Sequence, residues 1–257
     1  LEKLTGTFGR VAERVAIVRD AAEYRKARAD GKHGAWISIQ GGNALDHDLD
    51  DFDRIPEGII VRVTVVHLTN SSLGATSNPY GPRRANRGLT ALGREYVRKL
   101  NEKRIFVDLA HISPEGFWDA VEIHDRAQPL IVTHTGVKGV HDHWRNLDDR
   151  QIKAVADSGG VVGVMYQSSF LGPSIFRGKI DWIVDHLDHI IAVAGEDHAA
   201  LGSDWDGTII PPVEMRCSTE FPRLVQRMLD RGWSPERIRK VLGTNFLRSL
   251  ELLRPSA

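Results

Sequence analysis

Residues 105–134 read IFVDLAHISPEGFWDAVEIHDRAQPLIVTH, and this stretch decides the fold. An apolar run, IFVDLAH (105–111), ends in a histidine. Ser113-Pro114-Glu115 then opens a helix, with proline in its first turn where a backbone N–H is dispensable. A second apolar run, PLIVTH (129–134), again ends in a histidine. Strand, helix and strand at this spacing make a parallel βαβ unit.

The same rhythm extends in both directions. AWISIQ (35–40) and IIVRVTVVH (59–67) read as strands on one side, GVVGVMY (160–166) and AALGSD (199–204) on the other. Between them lie amphipathic stretches. AAEYRKARADGK follows the N-cap candidate Asp20, LTALGREYVRKLNEK precedes residue 105, DDRQIKAVADSG starts near Asp148, and DWIVDHLDHIIAVAG follows residue 180. Two helices close the chain, the last spanning SPERIRKVLGTNFLRSLELL as one unit. Six strands are counted; RVAIV, near the start, is too short and too flanked by charge to add. A closed barrel of this kind needs eight. The expectation is a single domain over 1–257, an α/β TIM-type (β/α)8 barrel whose first one or two βα units lie upstream of Leu1, which is not a methionine.

Composition narrows the partners. With 34 Lys+Arg against 34 Asp+Glu, the formal charge is zero, which argues against nucleic acid or an anionic membrane surface as the main partner. No apolar run is long enough for a transmembrane segment. Cys217 is the lone cysteine, so no internal disulfide forms and a cytoplasmic location is expected.

Polar residues fall at one end of the strands. Gln40, His67, His111 and His134 end four of them, and Asp204 ends AALGSD. In a parallel barrel these C-terminal ends converge on the face where active sites sit. His111 and His134 come from adjacent strands and could share a Zn²⁺ ion through neutral imidazoles. Asp204 could move a proton between an attacking water and a leaving amine. His67 could hydrogen-bond a developing oxyanion. Arg145 could clamp a substrate carboxylate. Asp206 reads as a structural residue bonded to loop amides, His141 and His143 as loop residues flanking Arg145, and Arg83, Arg84 and Arg87 as a solvated basic cluster.

These residues sit in motifs that occur in a specific order: SIQGGNAL, VVHLTNSS, RGLTALGREYVRKLN, VDLAHIS, IVTHTG, HWRNLDDRQIKAVADSGGVVGV, DHLDHI, LGSDWDG and LGTNFLR. The ordered set, covering nearly the whole chain, resembles the renal (membrane) dipeptidase family, peptidase family M19, of the amidohydrolase-like metallohydrolases. The resemblance implies a homo-oligomeric barrel with a two-zinc site that hydrolyses dipeptides, L,L or L,D. It implies that His111 and His134 are metal ligands and that His67 contacts the substrate carbonyl. It implies further that Arg145 grips the substrate carboxylate and that Asp204 transfers protons.

Two departures alter that picture. The family's His-x-Asp metal ligands on its first strand have no counterpart at a strand end here. Its bridging glutamate is replaced by Gln40. Two dications about 3.5 Å apart repel by roughly 19 kcal/mol at an effective dielectric near 20, and bridging anions offset that repulsion. A carboxamide brings no charge, so one Zn²⁺ is expected rather than two. Phe170 also stands where the family has a pocket tyrosine. The leading expectation is therefore a zinc-dependent dipeptidase with reduced or altered activity. The alternatives are a barrel that has lost catalysis and serves in binding or assembly, and a one-metal relative acting on another amide or ester.

Overall fold

The computed structural model describes residues 2–80 and 85–255. Eight strands are present among them: β1 Val15–Ile17, β2 His33–Ala35, β3 Ile37–Gln40, β4 Ile60–Thr64, β5 Phe106–Asp108, β6 Ile131–Thr135, β7 Val161–Val164 and β8 Ala199–Leu201. β3 to β8 form one parallel sheet in sequence order, and β1 pairs with β2 in a separate parallel pair.

The count of six strands is corrected in two places. RVAIV does contain a strand, β1, because Val15–Ile17 finds a partner in His33–Ala35. AWISIQ is not one strand but two, divided at Trp36. That ring leaves the ladder to stack on Tyr24 at 4.9 Å and to meet Phe246 edge-on at 5.3 Å. The closing helix is also broken: Pro235–Arg239 and Asn245–Leu253 are separated by a π-helical turn over Lys240–Thr244.

Helix starts follow the sequence closely. Asp20 caps Ala21–Ala29 by accepting from Glu23 N, and Ser113 caps Pro114–Ile123 by accepting from Gly116 N. Asp148 and Gln151 form a reciprocal capping box before Asp149–Asp157.

The helices bury the outer face of the sheet in one large apolar core containing Val63, Val107, Val132, Val162 and Leu187. A second, smaller cluster plugs the N-terminal ends of the strands. There Phe106, Ile131 and Val161 meet Leu250 and Leu253 of the last helix. That end is closed by apolar side chains; the other is lined by polar ones. No helix among the described residues is long and apolar enough to cross a membrane.

Candidate active site

The residues marked by sequence meet at the C-terminal ends of the strands. His134 lies within β6, while His67, His111 and Asp204 each stand three residues beyond their strands. His134 is aimed by a bulge: Val132 pairs with Val162 but Thr135 with Val164, so β6 carries one residue more than β7. The neighbouring strands make room for it with glycine. A Cβ on Gly163 would lie 2.1 Å from the Thr133 carbonyl oxygen, and one on Gly202 only 1.7 Å away.

His111 Nε2 and His134 Nε2 face each other at 2.7 Å. The rings of His67 and His111 meet edge to face, 4.7 Å between centroids. Gln40 Nε2 donates to His67 Nε2 at 3.1 Å. Gln40, His67, His111 and Asp204 line one cavity of about 640 Å³, closed by Leu68, Met165, Phe170 and Trp205. A larger cavity of about 780 Å³ opens at the opposite end near Gly58 and Arg254, but it presents no histidine, and its Asp53 and Lys103 are tied up in an ion pair with each other.

Two of the site residues hold left-handed backbone conformations, His111 at φ 66° and Asp204 at φ 57°. Such angles cost energy in residues with a Cβ, and they gather where a side chain must be presented at a set angle.

Burial sets the protonation. It pushes His111 far below the ordinary imidazole range, with the Arg145 charge adding to the effect. Burial and Arg145 likewise bring His134 down to about 3, against the opposing pull of Asp108. His67 is lowered by burial and then by Arg145. All three are neutral near pH 7 and so able to act as ligands. Asp204 moves the other way: burial raises it, with Arg145 and Arg62 opposing. A carboxyl raised in this way is suited to moving protons.

Arg145 sits beneath the cavity rather than on its wall. It is 4% exposed, donates Nη2–H to His134 O at 2.9 Å, and leaves its Nε without a partner. Its loop supports the pocket: His143 stacks on Phe170 at 4.4 Å, and Trp144 meets Phe170 at 5.8 Å. His143 thus backs the pocket wall through Phe170, and His141 stacks on His143 at 6.3 Å. Asp206 does not bond loop amides as the sequence suggested. It is exposed, its carboxylate has no hydrogen-bond partner among the described residues, and it lines the cavity beside Asp204. Arg83 and Arg84 lie outside the described residues, while Arg87 makes an exposed pair with Glu115 at 3.4 Å.

Sequence reasoning missed the polar network inside the sheet. Asp108 is fully buried and takes hydrogen bonds from Arg62, Thr64, Ala110 and Thr133. Thr133 Oγ1 in turn lies 2.8 Å from His134 Nδ1. A signal was present: one charge stands alone in each of the apolar runs IIVRVTVV and IFVDLA. Buried charges in strands are paired, so an arginine and an aspartate on adjacent strands point at each other.

His111 and His134 are the residues placed to hold a cation. Two neutral imidazoles present apposed Nε2 atoms, and no group of three or more His, Cys, Asp or Glu converges among the described residues. Two ligands with open positions suit a catalytic ion more than a closed structural one. Gln40, bonded to His67, brings a neutral amide and no charge to this end of the sheet.

The chain is similar to several known proteins. The chain is 30% identical over 245 residues to an uncharacterised protein of the pqqA 5′ region of Klebsiella pneumoniae, spanning 93% of this chain and 89% of that one. It is 34% identical over 167 residues to an uncharacterised dipeptidase of Schizosaccharomyces pombe, spanning 65% of this chain and 40% of the fungal one. Among solved structures, a metallopeptidase from Rhodobacter sphaeroides liganded with a phosphinate mimic of L-Ala-D-Ala superposes with a TM-score of 0.86 at 29% identity, covering 98% of this chain and 72% of that one. A dipeptidase of metallopeptidase family M19 superposes with a TM-score of 0.87 at 28% identity, covering 98% and 75%. These barrels confirm the fold expected from sequence. The profile of the membrane dipeptidase family matches residues 2–254, and the chain belongs to that family, peptidase family M19.

Proposed function

We propose that this protein is a metal-dependent dipeptidase that cleaves the amide bond of small L,L or L,D dipeptides with a single Zn²⁺ held by His111 and His134. One observation carries the reading: two neutral imidazoles appose their Nε2 atoms beside the cavity that Asp204 lines. Family membership implies a metal, and the relative holding an L-Ala-D-Ala mimic supports substrates with a D-residue at the C-terminal position. Zinc, when bound, supplies Lewis acidity that brings the pKa of a water near 7.

The chain's own residues do the rest. Asp204, raised by burial, takes a proton from the attacking water and returns it to the leaving amine. His67, held through Nε2 by Gln40, keeps its proton on Nδ1 as the donor available to the oxyanion. Arg145, buried beneath the cavity, biases the site electrostatically from below rather than gripping a substrate carboxylate directly.

The test is turnover of a panel of L,L and L,D dipeptides with added zinc, by wild type and His134→Ala. Cleavage that the substitution abolishes supports the enzyme. A second reading, a binding protein without catalysis, is favoured by the Gln40 amide. Dipeptide binding by calorimetry without cleavage anywhere in the panel would establish it instead.

A further inference from the structure

We propose that Asp108 acts through Thr133 as a positioning residue, fixing His134 in its Nδ1–H tautomer so that the Nε2 lone pair always faces the site. It follows that His111 is the ring that must move its proton when a cation enters. The inference rests on the reading above only in taking His134 and His111 as ligands.

The argument is a count of protons. Asp108 Oδ2 accepts from Arg62 Nη1 at 2.9 Å, Thr64 Oγ1 at 2.6 Å and Thr133 Oγ1 at 2.7 Å. Its Oδ1 accepts from Ala110 N at 3.1 Å and Thr133 N at 3.0 Å. A buried carboxylate that meets an arginine and four other donors is ionised and carries no proton to give. The Thr133 hydroxyl has a single hydrogen, and that hydrogen goes to Asp108. Its oxygen is then an acceptor toward His134 Nδ1 at 2.8 Å, so Nδ1 carries the ring's proton. A neutral imidazole has only one N–H, which leaves His134 Nε2 bare.

The geometry of His111 follows. Two bare nitrogens 2.7 Å apart would repel, so His111 bears its proton on Nε2 and donates it to His134. Its own Nδ1 has no hydrogen-bond partner among the described residues, so nothing opposes moving the proton there. The His134 ring is fixed at Nδ1 by Thr133, whereas the His111 ring is held by packing on His67 and by its Nε2 contact with His134, neither of which engages its Nδ1.

Ring-nitrogen NMR on the 257-residue chain labelled with ¹⁵N-histidine reads the tautomers directly. Without metal, His134 should be protonated at Nδ1 and His111 at Nε2. With zinc added, His134 should be unchanged and His111 should move its proton to Nδ1. Thr133→Val, close in shape but lacking the hydroxyl, should populate both His134 tautomers and weaken zinc binding 10–100-fold, and Thr133→Ser should restore both properties. His134 protonated at Nε2 in the metal-free wild type would overturn the inference while leaving the hydrolase reading open. So would a folded Thr133→Val variant that binds zinc as tightly as wild type. Should that variant fail to fold, the wild-type spectrum decides alone. The expected tautomers in a chain that binds no zinc would overturn the metal reading and spare this one.

Discussion

The two ends of the barrel each hold a desolvated arginine, half-buried at one end and buried at the other, and they satisfy it in opposite ways. At the closed end, Arg254 donates to the carbonyls of Arg104, Arg19, Gly58 and Ile60, all within 2.7–2.8 Å. Among the described residues it has no carboxylate partner; carbonyl dipoles saturate it, and it fastens the last helix to the strand starts. At the open end, Arg145 is more deeply desolvated, pulled down to about 10 by burial, yet it spends one hydrogen bond on His134 O and leaves Nε without a partner among the described residues. A saturated charge belongs to the fold. A charge left partly unsatisfied retains potential for a group that is not part of the chain, and here that potential falls on three histidines and Asp204.

If the open end is functional and the closed end structural, substitutions should divide cleanly. Asp204→Asn should cut turnover of any dipeptide the wild type cleaves by about 10²–10⁴-fold, with an unchanged melting transition. A melt that collapses along with activity would erase the distinction. Arg254→Ala strands four carbonyls and should cost about 2–4 kcal/mol in denaturant unfolding, while activity per folded molecule stays intact. Loss of specific activity in that variant would mean the ends are coupled.

The comparison sharpens with pH. His186 ties the loops of the open end, accepting from Val137 N through Nδ1 at 2.8 Å and donating Nε2–H to Leu171 O at 3.1 Å. Burial brings it down to about 4, so the folded state holds it neutral while the unfolded chain protonates it near 6.5. Its contribution is fully present above about pH 6.5 and is lost as pH falls towards 4, by roughly 3 kcal/mol at most. Urea midpoints at about pH 7 and about pH 4.5 measure this, and His186→Gln should show a smaller drop than wild type. An equal drop would move the acid sensitivity elsewhere. The smallest effect is expected at Gln40→Glu, which restores a bridging charge. Metal content by emission spectroscopy should rise from about one ion per chain towards two. No change would show that the amide is not what limits the count.

Much of this was legible along the chain, and for identifiable reasons. IFVDLAH and PLIVTH alternate with helices because apolar period and capping residues are local properties, and the structure keeps Asp20, Ser113 and Asp148 as caps. RVAIV was not legible, since three residues become a strand only when His33–Ala35 lies alongside. Nor was the place of Arg145, whose loop sequence carries no mark of burial. Asp206 was misread because an acidic residue in a turn usually bonds local amides, and here the left-handed backbone at φ 67° turns it outward.

What the linear chain determined by itself is the alternation of strand and helix and the chemical types at the strand ends, because both depend on residues near in sequence. It also determined that position 40 carries an amide and no charge, which no folding can alter. Tertiary structure alone decided which nitrogen faces which. Apposing His111 to His134 requires a bulge in β6, glycine at 163 and 202 beside it, and a buried carboxylate from the adjacent strand. Those conditions are set across strands, where distance along the chain carries no information.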